Sequence, residues 1–218
     1  MAHVVTVSGA VGGVGASTLA YALALQPDEG AVLIDAQLDG APLDILIGSE
    51  DVPGARWSQV RVQSDAIDAE TILCALPEVG GIHVLSADRA ARMDARALHF
   101  LVQALRSRCS LIVVDIAARD AARPALKADM HLLVMPPTLL GLGAALSAPE
   151  LDLLVIANTG AADFGAANAD VYLDAETAGV VRWQRAVTMA AAQCLPPPPG
   201  TDVMQLAGQL WGRLCDGL

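Results

Sequence analysis

A glycine-rich turn between a short apolar strand and a helix constrains this chain more than any other stretch. The segment reads Val4-Val5-Thr6-Val7-Ser8-Gly9-Ala10-Val11-Gly12-Gly13-Val14-Gly15-Ala16-Ser17-Thr18. The β-branched residues at its start predict a buried strand, and Ser17-Thr18 predict the opening of a helix. Glycines let the backbone turn tightly, so that successive N–H groups and the helix N-terminus point at an anion. The segment therefore predicts a phosphate-binding loop.

The charged parts of such a loop are missing. A loop that binds and cleaves nucleoside triphosphates has the spacing G-x-x-x-x-G-K-[ST], in which the Lys reaches the phosphates and the hydroxyl holds Mg²⁺. Here Ala10 stands at the first glycine and Ala16 at the lysine, whereas Gly15 and Ser17 keep their expected types. The chain contains a single lysine, Lys127. Any other substitute cation must therefore be an arginine.

The same residues carry a resemblance to a known family. The stretch Val11–Thr18 resembles the K-G-G-V-G-K-[ST]-[ST] signature of the ParA/MinD family of P-loop ATPases, with Val11 and Ala16 in place of its two lysines. It is most similar to the CpaE/TadZ branch, in which such loops are often degenerate. Two further segments, Glu50–Trp57 and Gly81–Arg89, resemble an actinobacterial CpaE-like subgroup of septum-site-determining proteins. The resemblance covers most of the chain and weakens after Pro136.

The order of strands and helices predicts the fold class independently of that resemblance. Apolar strands alternate with helical patterns in an Ala/Val/Leu-rich chain, which is typical of an α/β, doubly wound, mostly parallel sheet flanked by helices. The expected architecture is a P-loop NTPase domain of the ParA/MinD type over residues 1–218. It would end in a helix at about 202–215 after a proline-rich segment.

Two strands end in an acid and supply candidate metal ligands. Acids at the carboxyl ends of parallel strands lie on the rim where open α/β sheets bind ligands. Asp35 follows Ala31-Val32-Leu33-Ile34, and Asp115 follows Leu111-Ile112-Val113-Val114 in a Walker B pattern, which brings a carboxylate to Mg²⁺ or its water. Together with the Ser17 hydroxyl, Asp35 and Asp115 are therefore the candidate ligands of Mg²⁺.

The resemblance also points to a departure after Asp35. The family has a D-x-D pattern there, and Gln37 stands at its second, water-positioning Asp. Asp39 is either a substitute for that acid or a turn residue before Gly40.

The candidate cofactor is ATP or ADP with Mg²⁺. Asn158 ends a predicted strand over 151–158, where it resembles the family's adenine-contacting Asn or simply begins the turn at Thr159-Gly160. The candidate nucleotide-binding residues are Gly12, Gly13, Val14, Gly15, Ala16, Ser17, Thr18 and Asn158.

The same losses predict little or no ATP hydrolysis. Removing one preorganised stabilising donor costs about 10²–10³ in rate, and here two lysines and one carboxylate position have changed. Arg119 and Arg123 are either replacement cations near the loop or ordinary surface residues.

Charge and hydropathy narrow the possible partners. A net charge of −11 argues against nucleic acid and against anionic lipid surfaces. No apolar run is long enough to span a bilayer and no basic region precedes the first strand, which predicts a cytoplasmic protein. The final helix carries an apolar stripe that could dock on the protein's own core, on a membrane or in a partner groove, and its acidic polar face favours the core.

These features predict a non-catalytic or weakly nucleotide-binding localisation or scaffold protein, serving septum-site selection or Flp/Tad-type pilus assembly. Its expected partners are a second copy of itself, as a homodimer, and polar, pilus-assembly or division proteins that recruit it to the pole or septum. The alternatives are a slow ATPase with arginine replacing the lysines, and a binding module that takes no nucleotide. Family members often carry an N-terminal receiver-like domain, so the chain either lacks that domain or is a fragment.

Overall fold

The computed structural model describes residues 2–37, 42–60, 68–88, 94–120, 122–148, 151–158 and 169–217. Eight strands lie within these ranges: β1 (His3–Gly9), β2 (Ala31–Asp35), β3 (Glu78–Val79), β4 (Ile82–Leu85), β5 (Leu111–Asp115), β6 (Met130–Met135), β7 (Leu153–Asn158) and β8 (Glu176–Arg182). The helices of the described ranges are α1 (Ala16–Ala24), α2 (Leu43–Ile47), α3 (Ala69–Ala75), α4 (Ala95–Leu105), α5 (Leu139–Ala145), α6 (Ala169–Leu173), α7 (Arg185–Ala192) and α8 (Asp202–Asp216). Short 3-10 turns lie at Trp57–Gln59 and Arg123–Leu126.

The strands form a single sheet in the order β3-β4-β2-β5-β1-β6-β7-β8. All neighbours are parallel except the short β3, which pairs antiparallel with β4. This confirms the predicted mostly parallel, doubly wound α/β fold. From β1 the chain crosses to β2, towards the β3 edge of the sheet. From β5 it crosses to β6, towards the β8 edge. A topological switch point therefore lies between β1 and β5, where such sheets bind ligands.

The strands bury side chains on both faces of the sheet. In β1, Val5 and Val7 pack on the face covered by α1 and α8, whereas Val4 packs on the face covered by α4. The same alternation runs through β2 and β5. Because both faces are covered, these strands are continuous apolar runs, as expected for a parallel sheet.

The final helix docks on the protein's own core, as its acidic polar face favours. The apolar stripe of α8 is buried against α1 and β8, through Val203, Leu206, Ala207, Leu210 and Leu214. At its start, Asp202 receives hydrogen bonds from the Arg182 guanidinium. None of the helices in the described ranges combines the length and the apolar character that crossing a membrane requires.

One segment differs from its sequence-based expectation. The stretch after Glu50 is polar and irregular and contains Pro53 and Gly54, which predicts an excursion over the surface, yet Trp57 is only 3% exposed. Its indole Nε1 donates to the carbonyl oxygen of Asp35 at 2.6 Å. The indole therefore packs against the carboxyl end of β2 and helps to hold Asp35 in place.

Candidate phosphate-binding site

The glycine-rich segment forms a turn between β1 and α1 at the predicted place. Ala10 N donates to the carbonyl of Val134 at 2.8 Å, which ties the start of the turn to β6. Gly13 and Gly15 have φ values of 73° and 96°, in the left-handed region that favours glycine. Gly15 is the N-cap of α1, so the helix begins at Ala16 with its N-terminus facing the turn.

The backbone of this turn is rich in unused donors. Within the described residues, no backbone or side-chain acceptor receives a hydrogen bond from the N–H groups of residues 11–17. Most of these residues are exposed, so water can satisfy their N–H groups, and a run of such donors at a helix N-terminus is the arrangement that binds phosphate. These residues line a cavity of about 540 Å³. The turn therefore has the shape and the donors of a phosphate cradle.

The part of this cavity's wall that the structure describes is uncharged. Among the described residues its lining consists of residues 9–18 together with Gln37, Pro42, Leu43, Ile45, Leu46, Ala117 and Ala191, none of which is ionisable. Ala16 and Val11 stand there in place of lysines. Any anion in this cavity would be held by backbone N–H groups and by the dipole of α1.

A second, more apolar cavity adjoins the first. It encloses about 300 Å³ and shares Gly13, Val14, Gly15 and Thr18 with the phosphate cradle. Its other walls come from β6, β7, β8, α7 and the start of α8, and include Val134, Val155, Ala157, Val181, Trp183, Val187 and Val203. An aromatic heterocycle is of suitable size and polarity for such a space.

This second cavity was only partly foreseen from the sequence. Asn158, the candidate adenine contact, ends β7 in register with Arg182, and the structure describes nothing of its side chain. No sequence motif indicated the wall that is formed by Val181, Trp183 and Val187. Its one sequence signal was Trp183, the aromatic residue that ends the stretch Gly179–Trp183, whose pattern predicts a short strand.

Asp35 is buried at the end of β2 and is held by backbone donors. Its carboxylate accepts hydrogen bonds from Leu43 N at 2.9 Å, Gln37 N at 3.0 Å and Ala87 N at 3.4 Å. Burial raises the pKa of Asp35, and these hydrogen bonds act in the opposite direction. Both carboxylate oxygens are therefore occupied in joining three segments of the backbone.

Asp115 lies in register with Asp35 on the neighbouring strand and is equally buried. Its Oδ1 accepts a hydrogen bond from Gln37 Nε2 at 2.6 Å, and its carboxylate also accepts from the Ser17 hydroxyl. Burial raises the pKa of Asp115 to about 6, although these two hydrogen bonds lower it. The structure thus brings Ser17 and Asp115 together, with Gln37 as a third member.

This arrangement does not fit a bound magnesium ion. Mg²⁺ requires oxygen ligands in a near-octahedral shell, usually one or two carboxylates together with phosphates and water. The Asp35 oxygens are used by backbone N–H groups, and Asp115 is bonded to an amide and a hydroxyl. Within the described ranges, no group of three or more His, Cys, Asp or Glu residues could hold a metal. The metal site of Ser17, Asp35 and Asp115 stays a prediction from the sequence, and the carboxylate oxygens it would use are engaged in these hydrogen bonds.

The two candidate replacement arginines lie outside the lining of the cradle. Arg123 is 1% exposed, and its Nη1 donates to the carbonyl of Ala118 at 3.4 Å. Arg119 is exposed, and neither arginine is among the described residues that line the cavity. Asp39, the possible substitute acid, lies outside the described residues.

Together the sheet order, the loop between β1 and α1 and the acid-ended strands define a P-loop NTPase fold of the ParA/MinD type. Solved structures with this fold align with nearly the whole chain. A ParA family ATPase from Chlorobium tepidum superposes with a TM-score of 0.82 at 14% identity, covering 98% of each chain. MinD of Aquifex aeolicus in its complex with MinC gives 0.76 at 19% identity, covering 100% of this chain and 97% of that one. MinD of Pyrococcus horikoshii, solved with Mg-ADP, gives 0.72 at 17% identity, covering 100% and 98%.

Closer sequence relatives are found in Mycobacterium tuberculosis. Two uncharacterised proteins, one from strain CDC 1551 and one from strain H37Rv, are 37% identical to this chain over 137 residues. The match covers 61% of this chain and 39% of each relative, so this chain matches about two fifths of their length. No family model matches the sequence.

Proposed function

We propose that this protein is a ParA/MinD-like localisation or scaffold protein that binds nucleotide weakly and hydrolyses little or none of it. One observation supports this most directly: the phosphate cradle keeps its free N–H donors while its described lining contains no cation. Backbone donors suffice to hold a phosphate, whereas phosphoryl transfer needs positive charge against the developing negative charge. Without the two lysines we therefore expect nucleotide binding to be retained and ATP hydrolysis to be lost.

The adjoining apolar cavity supports a nucleotide rather than a bare phosphate as the ligand. It opens from the same glycines, so a base placed there would leave its phosphates at the N-terminus of α1. Val187→Phe would fill this cavity and is expected to abolish binding of mant-ADP, a fluorescent nucleotide. Val180→Phe, at an exposed residue of the neighbouring strand β8 that lies outside the lining of this cavity, is the matched control. Equal loss in both variants would contradict this placement of the base.

Hydrolysis is tested by phosphate release from ATP in the presence of Mg²⁺. The proposal expects a rate indistinguishable from that of protein-free buffer. Turnover that disappears in Asp115→Ala would contradict it and would favour the slow ATPase, in which Arg119 or Arg123 replaces the lysines. Arg123 is buried and its Nη1 already donates to the carbonyl of Ala118, which supports the non-catalytic proposal over the slow ATPase.

The proposed surface for self-association is the rim of the cradle. Val11 and Ile45 are exposed apolar residues of that rim. Val11 stands where the resembled family has a lysine, so a partner would meet an apolar side chain there. A homodimer formed here would not depend on nucleotide, since no charged side chain among the described lining residues would reach across to a phosphate. Sedimentation velocity of the wild type and of Ile45→Glu tests this. A dimer that survives Ile45→Glu would place the interface elsewhere.

The process served is proposed to be septum-site selection or Flp/Tad-type pilus assembly, with recruitment to the septum or pole through division, polar or pilus-assembly proteins. The MinD proteins that share the fold, which are described as cell division and septum-site-determining proteins, support a role of this kind. A fluorescent fusion in the native host should form septal or polar foci. A uniform signal that does not change through the cell cycle would contradict the proposal.

A further inference from the structure

We propose that the side-chain amide of Gln37 takes the place of a divalent cation beside the cradle, so that the site accepts its nucleotide without a metal ion. This inference rests on the proposed nucleotide binding and specifies the ionic form of the ligand. It concerns an uncharged residue at the position where the resembled family has the second Asp of its D-x-D pattern.

The position of Gln37 is fixed by both strand-end acids. Its backbone N–H donates to Asp35 Oδ1 at 3.0 Å, which holds the chain directly after β2. Its side-chain Nε2 donates to Asp115 Oδ1 at 2.6 Å, and the residue lines the cradle cavity. Gln37 therefore bridges the two acids, with its backbone N–H bonded to Asp35 and its side-chain amide bonded to Asp115.

The Asp115 carboxylate already receives hydrogen bonds from two donors, at the oxygens to which a cation would bind. The Gln37 amide and the Ser17 hydroxyl both donate to its carboxylate. An amide nitrogen with two hydrogens is a donor and cannot act as a metal ligand through that atom. A metal ion at Asp115 would have to displace both hydrogen bonds and find its remaining ligands without Asp35, whose oxygens are bound to the backbone.

Gln37→Glu offers an isosteric test. It puts a second carboxylate against Asp115, where a divalent cation would neutralise the pair. Mn²⁺ binding to the nucleotide-free protein at pH 8 is measured by loss of the free-ion signal in electron paramagnetic resonance. We expect Gln37→Glu to bind Mn²⁺ roughly tenfold or more tightly than the wild type, in the range typical of changes beside a metal ligand.

Two further variants make this result specific. Gln103→Glu adds the same charge on the exposed face of α4 and is expected to leave Mn²⁺ binding unchanged. Gln37→Glu combined with Asp115→Asn restores a pair of one charged and one neutral group and is expected to lose the gain. Equal Mn²⁺ binding in all four proteins would overturn the inference. If Gln37→Glu does not fold, Gln37→Asp supplies the same charge.

The nucleotide measurement separates this inference from the function on which it rests. Mant-ADP is titrated into the wild type in Mg²⁺ and in EDTA, and we expect the two dissociation constants to agree within about twofold, less than 0.5 kcal/mol. Binding that requires Mg²⁺ would overturn the inference and leave nucleotide binding intact. Absence of binding in both conditions would overturn the proposed nucleotide binding, and the Mn²⁺ result would then decide the role of Gln37.

Discussion

Asp35 and Asp115 lie side by side in register at the ends of β2 and β5, yet they hold different parts of the protein. Asp35 accepts from three backbone N–H groups, whereas Asp115 accepts from the side chains of Gln37 and Ser17. The negative charge of Asp35 raises the pKa of Asp115 by repulsion, which adds to the larger effect of burial. Asp35 therefore stabilises the scaffold, and Asp115 faces the site.

Asp35→Ala is expected to lower the free energy of unfolding by about 2–3 kcal/mol, because it leaves buried backbone donors without an acceptor. The donors affected are those of Gln37, Leu43 and Ala87, which begin three separate segments around the site. Urea denaturation provides the measurement. Asp51→Ala, in an exposed turn, is the control and should change stability by less than about 0.5 kcal/mol. Similar losses in both variants would show that the three hydrogen bonds contribute little.

The raised pKa of Asp115 makes stability fall as the pH rises. With a pKa of about 6 in the folded protein, the folded state binds more protons than the unfolded state between about pH 4 and pH 6. The free energy of unfolding therefore decreases across this interval and levels off above it, with a total penalty of about 3 kcal/mol.

Asp115→Asn removes this ionisation while keeping one acceptor for Gln37. We expect its free energy of unfolding, relative to the wild type, to be about 2 kcal/mol more favourable at pH 7.5 than at pH 4.5. Asp35 is present in both proteins, so its own titration contributes little to the difference. Urea denaturation at the two pH values provides the comparison, and a difference that is independent of pH would contradict the assignment.

The sequence was sufficient for the frame of the site but not for its internal bonds. The loop, the acid at the end of each strand and the parallel sheet follow from local patterns: glycine spacing, apolar runs and their order along the chain. By contrast, Ala87 reaches Asp35 from 52 positions away and Gln37 reaches Asp115 across 78. Such pairings depend on how strands pack, and local patterns do not specify them.

Helix α7 and the position of Trp57 likewise lack a local signal in the sequence. Helix α7, whose Val187 lines the apolar cavity, is only eight residues long and begins after Gln184 without a side-chain cap, so it lacks the start signal by which a helix is recognised. Trp57 lies in a polar segment that predicts a surface loop, yet the carbonyl of Asp35 accepts its indole N–H. In both cases the tertiary environment, rather than local periodicity, determines the structure.

The final helix provides a prediction about stability. Leu210 is 1% exposed in the stripe by which α8 packs on α1 and β8. Leu210→Ala is expected to cost about 2–4 kcal/mol, the usual range when a buried leucine leaves a cavity. Leu195→Ala, at a residue that is 51% exposed, is the control and should cost less than about 0.5 kcal/mol. A small loss in Leu210→Ala would mean that α8 detaches readily and that its stripe is available to a partner.

Restoring a cation to the cradle is expected to strengthen nucleotide binding. Ala16 is the first residue of α1 and lines the cavity, so Ala16→Lys places an ammonium group next to the unused N–H donors. A charged hydrogen bond of about 1.5–3 kcal/mol corresponds to a gain of roughly tenfold or more in affinity for mant-ADP. Ala95→Lys is a matched control, because Ala95 is the first residue of α4 and is exposed away from the cradle. Equal gains in both variants would indicate a general effect of reducing the negative charge of the protein. A gain confined to Ala16→Lys would locate the phosphates at the N-terminus of α1.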